Sequence, residues 1–73
     1  MNAQNFALVV AAFARRRPFR PFAVELHSGH RVRVHHPEAL TLRGTLAIFV
    51  TPAATHVLFD AEAVSRVCDE AAI

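Results

Sequence analysis

Two prolines, Pro18 and Pro21, divide the chain into parts with different apolar periods. Before them, from Phe6 to Phe13, apolar residues recur at the i, i+3, i+4, i+7 spacing of one helix face. After them, from Phe22 onward, apolar and polar residues alternate as in strands. Proline lacks a backbone donor and pushes the preceding residue toward extended geometry, so a helix cannot continue through this connector. The order predicts an N-terminal helix followed by a sheet.

The 73 residues leave room for a single domain, which we expect to cover residues 1–73. We expect a helix at about residues 3–16, a connector at 17–21, a sheet over 22–68 and a C-terminal tail at 69–73. Asn2 or Asn5 can cap the helix, because a short side-chain oxygen satisfies the free N–H groups of a first turn.

The second face of the predicted helix is also apolar. It carries Leu8, Ala11 and Ala12, so the helix is apolar nearly all round. Such a helix is usually covered on more than one side, and one small sheet covers only one. We therefore predict that this second face contacts another subunit.

The first two strands are predicted to form a hairpin. A three-residue loop at His27–Gly29 pairs Val24 with Val32 and keeps the apolar residues of both strands on one face. Its last residue, a glycine, can adopt the left-handed conformation that such a loop requires. The same register sets Glu25 opposite Arg31 as a cross-strand ion pair.

The next strands follow from turn residues and apolar runs. Pro37 gives no ladder hydrogen bond, so we expect one long strand to bend there. The continuous apolar run Thr45–Thr51 predicts a central strand, buried on both faces or against a neighbour. His56–Phe59 is predicted as the following strand.

The last segment fits two structures. Asp60 can cap a helix, and the apolar residues from Val64 to Ala71 fit helical spacing. A short helical turn at Ala61–Ala63 followed by a strand at Val64–Cys68 fits the same residues.

Composition favours a small soluble protein with a partner. A 53% hydrophobic fraction is too high for a disordered chain. Cys68, the only cysteine, excludes an internal disulfide and fits a reducing compartment. No apolar run approaches the roughly 20 residues of a membrane span, so we expect a cytoplasmic protein with no membrane partner. A core this small favours extra stability from a second subunit.

Charge is distributed unevenly along the chain. Residues 1–43 carry seven arginines and two glutamates, and residues 44–73 carry one arginine and four acidic residues. This asymmetry can mark an anion-binding face, a stacking of subunits by opposite charge, or a solvated surface. The candidate nucleic-acid-binding residues are Arg15, Arg16, Arg17, Arg20, Arg31 and Arg33. The absence of Tyr and Trp leaves few stacking platforms for bases.

Five histidines invite a metal interpretation that their spacing does not favour. His27 falls in the predicted turn, and the adjacent His35 and His36 point to opposite sides of a strand. Zinc requires four ligands that converge in tetrahedral geometry. The sequence places no nucleophile beside a histidine either. We therefore predict no metal site, no catalytic residues, no cofactor and no small-molecule substrate.

The chain also shows two resemblances to known proteins. Arg17-Pro18-Phe19-Arg20-Pro21-Phe22, with Val34-x-His36-Pro37-Glu38, resembles a group of short uncharacterised bacterial proteins that share an RPFxPF…HPE signature. The resemblance implies no function.

The order of elements also resembles the Sm-like (Hfq-type) small barrels. Val24–Gly29 is similar to the start of the first Sm motif, and Asp60–Val67 looks like the segment that leads into the last Sm strand. This resemblance implies a fifth strand rather than a helix at the end of the chain. Arg33 stands where that motif carries glycine, and Pro37-Glu38 falls in its aspartate region.

Together these features predict an α+β domain: an N-terminal helix packed on a bent five-stranded antiparallel sheet, an SH3/Sm-like small barrel. The function favoured is a non-enzymatic oligomerising or protein-interaction module that acts as a homo-oligomer or on a protein partner. Nucleic-acid binding through the arginine-rich face is the alternative.

Overall fold

The computed structural model describes residues 1–70 of the chain. One helix, α1, spans Ala3–Ala14. Six strands follow it: β1 (Phe22–Leu26), β2 (Arg31–Val34), β3 (Leu40–Arg43), β4 (Leu46–Val50), β5 (His56–Asp60) and β6 (Val64–Asp69). Short 3-10 turns occupy Pro37–Ala39 and Ala61–Ala63. The predicted α+β class is confirmed, and no helix in the described part has the length and hydropathy to cross a membrane.

Helix α1 begins where the sequence predicts and ends two residues earlier. Asn2 is the N-cap, and its side-chain oxygen accepts a hydrogen bond from the Asn5 amide at 2.8 Å. The helix ends at Ala14, and Arg15 is the C-cap. The arginines therefore follow the last turn instead of forming it. Arg17 donates from its guanidinium to the Ala14 carbonyl, where positive charge suits the helix dipole.

The strands form two three-stranded antiparallel sheets. The first has the order β2-β1-β6 and the second the order β3-β4-β5. This differs from the predicted single sheet of five strands. The predicted bend at Pro37 is a break in the strand, because the 3-10 turn Pro37–Ala39 separates β2 from β3 and the two halves pair in different sheets.

The predicted register of the first hairpin is confirmed. Val24 pairs with Val32, and Glu25 pairs with Arg31. The Leu26 amide donates to the His30 carbonyl at 2.9 Å, which closes the three-residue loop. Gly29 in that loop has φ +93°, a backbone conformation that an L side chain rarely adopts. The glycine therefore fixes the loop type and, through it, which face of each strand is buried.

The last segment forms a turn and a strand, as the second of the two sequence interpretations predicts. Asp60 caps the Ala61–Ala63 turn by accepting from the Glu62 amide at 2.8 Å. Strand β6 then pairs antiparallel with β1, with a register shift beside Leu26. The strand includes Asp69, so the prediction of a tail that begins at residue 69 is wrong by at least one residue. Residues 71–73 of that predicted tail lie outside the described residues.

One apolar core joins the helix and both sheets. Phe6 and Val10 come from α1, alternate residues come from the inner faces of the strands, and all belong to a single buried cluster. The Phe6 ring meets the Phe59 ring of β5 edge-on, with centroids 6.2 Å apart. Phe22 of β1 is fully buried, and Phe19 of the connector packs partly buried beside it. The strand residues that point away from this core form the outer faces of the two sheets.

Candidate interaction surfaces

The predicted arginine face is partly neutralised by acidic residues of the same chain. Arg16 forms an ion pair with Asp69, and Arg33 lies 3.5 Å from Glu70. Asp69 ends β6 and Glu70 follows it, and the sheet places this strand beside β1. The positive N-terminal part and the negative C-terminal part of the sequence therefore meet within one molecule. The two arginine groups, from the helix end and from β2, converge on these neighbouring acids.

Glu25 connects three strands on the outer face of the first sheet. Its carboxylate lies 2.9 Å from the Arg31 guanidinium on β2 and 2.6 Å from that of Arg66 on β6. The hydrogen bond from Arg66 lowers the pKa of Glu25 below its ordinary value, and the charges of Arg66 and Arg31 act in the same direction. The Glu25–Arg31 pair is confirmed. The second partner, Arg66, was not predictable from the hairpin alone, because it comes from a strand about 40 residues away.

Three of the six predicted arginines remain exposed without such a partner. Arg15, Arg17 and Arg20 lie at the end of α1 and in the connector, and within residues 1–70 no carboxylate comes within ion-pair distance of them. Their guanidinium groups are the part of the predicted cluster that is available to an anionic partner.

The second face of α1 lies on the surface. Leu8 keeps 63% of its area exposed, Ala12 is exposed and Ala11 is half-buried. Leu8 is the large apolar side chain of this face, and its neighbours are alanines, whose small side chains let another surface approach closely. Leu8 and Ala12 are therefore accessible to a partner, and the subunit interface stays a prediction.

The outer face of the second sheet is a further apolar surface, and the sequence interpretation did not identify it as exposed. Leu46 and Val50 of β4 and Leu58 of β5 keep 36%, 39% and 57% of their area exposed, and Ile48 between them is half-buried. Only the inner residues of β4, Ala47 and Phe49, are fully covered. The sequence feature that corresponds to this surface is the continuous apolar run Thr45–Thr51. Its predicted strand was expected to be buried on both faces or against a neighbour, so its exposed face was not identified.

A groove runs between the end of β2 and the end of β4. It encloses about 690 Å³. One wall is polar and one apolar; the lining residues are Arg33, His35, His36, Glu38, Ala39, Phe49, Val50, Thr51 and Pro52. The imidazole of His35 lies 3.6 Å from the Glu70 carboxylate. Over residues 1–70 the histidines, acids and cysteine form no group of three arranged to hold a metal ion.

Comparison with protein-family models, with curated proteins and with solved structures finds no match to this chain. A function for this chain is therefore inferred from its exposed surfaces.

Proposed function

We propose that this chain is a non-enzymatic oligomerising or protein-interaction module, acting in the cytoplasm on copies of itself or on a protein partner. The observation that carries the proposal is the grouping of exposed large apolar residues. Residues 1–70 include four of them, and three, Leu46, Val50 and Leu58, share the outer face of one small sheet. Contiguous apolar surface of this kind marks interaction sites, whereas scattered single residues do not.

The helix supplies a second apolar surface for the same role. Leu8 accounts for the fourth exposed large apolar residue, and Ala11 and Ala12 lie one turn along on its side of α1. Within residues 1–70, each sheet also has two outer strands that pair on one side only, and such edges can accept a strand from a partner.

We further propose that the two sheets are the halves of an SH3/Sm-like small barrel. The chain passes from the first sheet to the second through the Pro37–Ala39 turn and returns through the Ala61–Ala63 turn. Both inner faces contribute to one core, as barrel halves do. The proposal concerns architecture alone, because one fold serves many functions.

The assembly role predicts a loss of native mass on substitution of Leu8→Glu. A carboxylate at this exposed helix position leaves the core untouched but places an unpaired charge in an apolar contact. We expect a native mass above that of one chain for the unmodified protein and a lower native mass for the variant, with equal far-UV circular dichroism. Light scattering after size-exclusion chromatography measures both.

The control for Leu8→Glu is Ser28→Glu, which adds the same charge at an exposed turn far along the chain. It should keep the mass of the unmodified protein. An unchanged mass for Leu8→Glu would contradict a role of this helix face in assembly.

Nucleic-acid binding is the second candidate, and the exposed cluster of Arg15, Arg17 and Arg20 favours it. Neutralising phosphates releases counterions, so affinity for nucleic acid should fall steeply with salt. Replacing all three arginines by glutamine should reduce the slope of log affinity against log salt by about 1 for each phosphate that is no longer neutralised. Fluorescence anisotropy with a labelled oligonucleotide at several salt concentrations measures this slope.

The matched control is Arg66→Gln, which removes one positive charge outside the predicted cluster. It should leave the salt slope as it is. Absent or salt-independent binding by the unmodified protein would rule this candidate out. Because the chain has no Trp or Tyr, strong absorbance at 260 nm during purification would itself report bound nucleic acid.

A further inference from the structure

The outer face of the second sheet has a regular arrangement that follows from its strand register. β4 is the middle strand, with β3 on one side and β5 on the other. Leu46 pairs with Arg43 of β3 and with Asp60 of β5, so these three residues form one row across the sheet. The central positions of the face are apolar, and this end row carries a positive charge on one edge strand and a negative charge on the other.

The two charges of this row do not neutralise each other within the chain. Neighbouring strands lie about 4.8 Å apart, so Arg43 and Asp60 are separated by about 10 Å across β4. Among residues 1–70, neither side chain lies within ion-pair distance of an opposite charge. One oxygen of Asp60 accepts from the Glu62 amide. Both side chains are exposed.

We propose that a second copy of this chain covers the outer face of the second sheet, related to the first by a two-fold axis that runs along β4. Rotation about this axis lays β3 of each copy over β5 of the other. Arg43 of each copy then meets Asp60 of its partner, and two equivalent ion pairs lie on either side of the Leu46 residues at one end of the apolar face. The inference rests on the proposed assembly role and names its partner and its geometry.

The same rotation determines which other residues of the two faces lie opposite each other. The β4 residues Leu46, Ile48 and Val50 lie on the axis and meet their own counterparts. Leu58, the most exposed large apolar residue of the sheet, meets Thr41 of the partner, which stands in the row of Ile48. Two sheets packed face to face hold their strands within about 30° of each other, which this axis allows.

A two-fold axis across the strands would satisfy fewer charges. With the axis at the row of Ile48, it would stack β3 on β3 and bring Arg43 toward the partner's opposite end row. That row contains Val50 and His56 and no carboxylate. The axis along β4 gives a partner of opposite charge to both Arg43 and Asp60, and charge complementarity of this kind fixes the register of an interface.

The size of the face indicates reversible association. Strands of five residues and three strand widths give a surface of about 17 Å by about 14 Å. This is small compared with the roughly 800 Å² that each partner buries in a stable interface. The dimer should therefore form and dissociate with protein concentration.

A charge exchange tests the inference. Arg43→Glu places two carboxylates together at each edge, and Asp60→Lys places two cations together. We expect each single substitution to raise the dimer dissociation constant by about tenfold or more, because like charges at an interface repel. The double variant restores opposite charges and should return to within about threefold of the unmodified protein.

Sedimentation equilibrium over a wide concentration range, with interference optics because the chain has no Trp or Tyr, measures the constants. Thermal unfolding of each variant checks the fold, since Asp60→Lys also removes a cap. The matched control is Arg17→Glu, an equal change of charge at an exposed position on the connector side, which should leave self-association unchanged. The inference would be overturned if the dissociation constant of the double variant were raised by the two single effects combined.

The outcomes separate this inference from the assembly role. If the unmodified protein associates and Leu8→Glu dissociates it while the charge exchange has no effect, the assembly role stands and the sheet interface is overturned. If the unmodified protein remains a single chain at every concentration, both are overturned. The axis along β4 is supported only if the double variant recovers the association that each single variant loses.

Discussion

Replacing Phe22 by alanine should remove about half of the stability of this domain. Phe22 is fully buried, and its ring lies between those of Phe13 and Phe19, with centroids 5.3 and 6.2 Å away. Truncation of a buried phenylalanine costs about 3–5 kcal/mol, and a chain of this length has about 4–11 kcal/mol in total. We expect the urea midpoint, followed by far-UV circular dichroism, to fall to about half of its original value.

Phe19→Ala is the matched control for this result. It removes the same atoms from a half-buried position at the edge of the cluster. Its loss of unfolding free energy should be clearly smaller than that of Phe22→Ala. Equal losses would mean that the sheet does not centre its packing on Phe22.

Phe6→Ala should detach the helix from the sheets. Phe6 is 2% exposed and is the α1 residue that meets Phe59 of β5 edge-on. The helix has 12 residues, too few to persist in water without packing. We therefore expect the unfolding free energy to fall by about 3–5 kcal/mol, together with a decrease in helical circular dichroism.

Leu8→Ala on the opposite face of the same helix is the control. Since Leu8 is largely exposed and alanine favours helices, its unfolding free energy should change by no more than about 0.5 kcal/mol at a concentration where the chain is monomeric. A comparable loss for Leu8→Ala would contradict the packing of α1 through Phe6.

Local features of the fold were predictable from the sequence. Asn2 caps the helix, Gly29 closes a three-residue loop, and Val24 pairs with Val32. Each depends on residues a few positions apart, where spacing and turn chemistry decide the outcome. The short turn before β6 was open to two interpretations and was resolved only by resemblance.

Features that depend on strand order were not predictable in the same way. The pairing of β6 with β1 creates the ion pairs Arg16–Asp69 and Glu25–Arg66. No local sequence pattern predicts either contact. The outer face of β4 was missed for a related reason. A continuous apolar run has the same appearance whether its second face is covered by the chain itself or left for a partner.

The break at Pro37 shows a third limit. Proline predicts that the strand is interrupted, but a bend and a 3-10 turn both satisfy its missing donor. The turn at Pro37–Ala39 sends β3 into a separate sheet, which adds a strand to the count.

The place of β6 beside β1 has a consequence for synthesis of the chain on the ribosome. β1 is the middle strand of its sheet, and its second neighbour, β6, follows it by about 40 residues along the chain. The nascent chain can form the helix and the first hairpin early, but one edge of β1 stays open until β6 leaves the exit tunnel. During that interval the open edge can accept β6 from another nascent chain, so neighbouring ribosomes on one messenger provide the conditions for strand exchange.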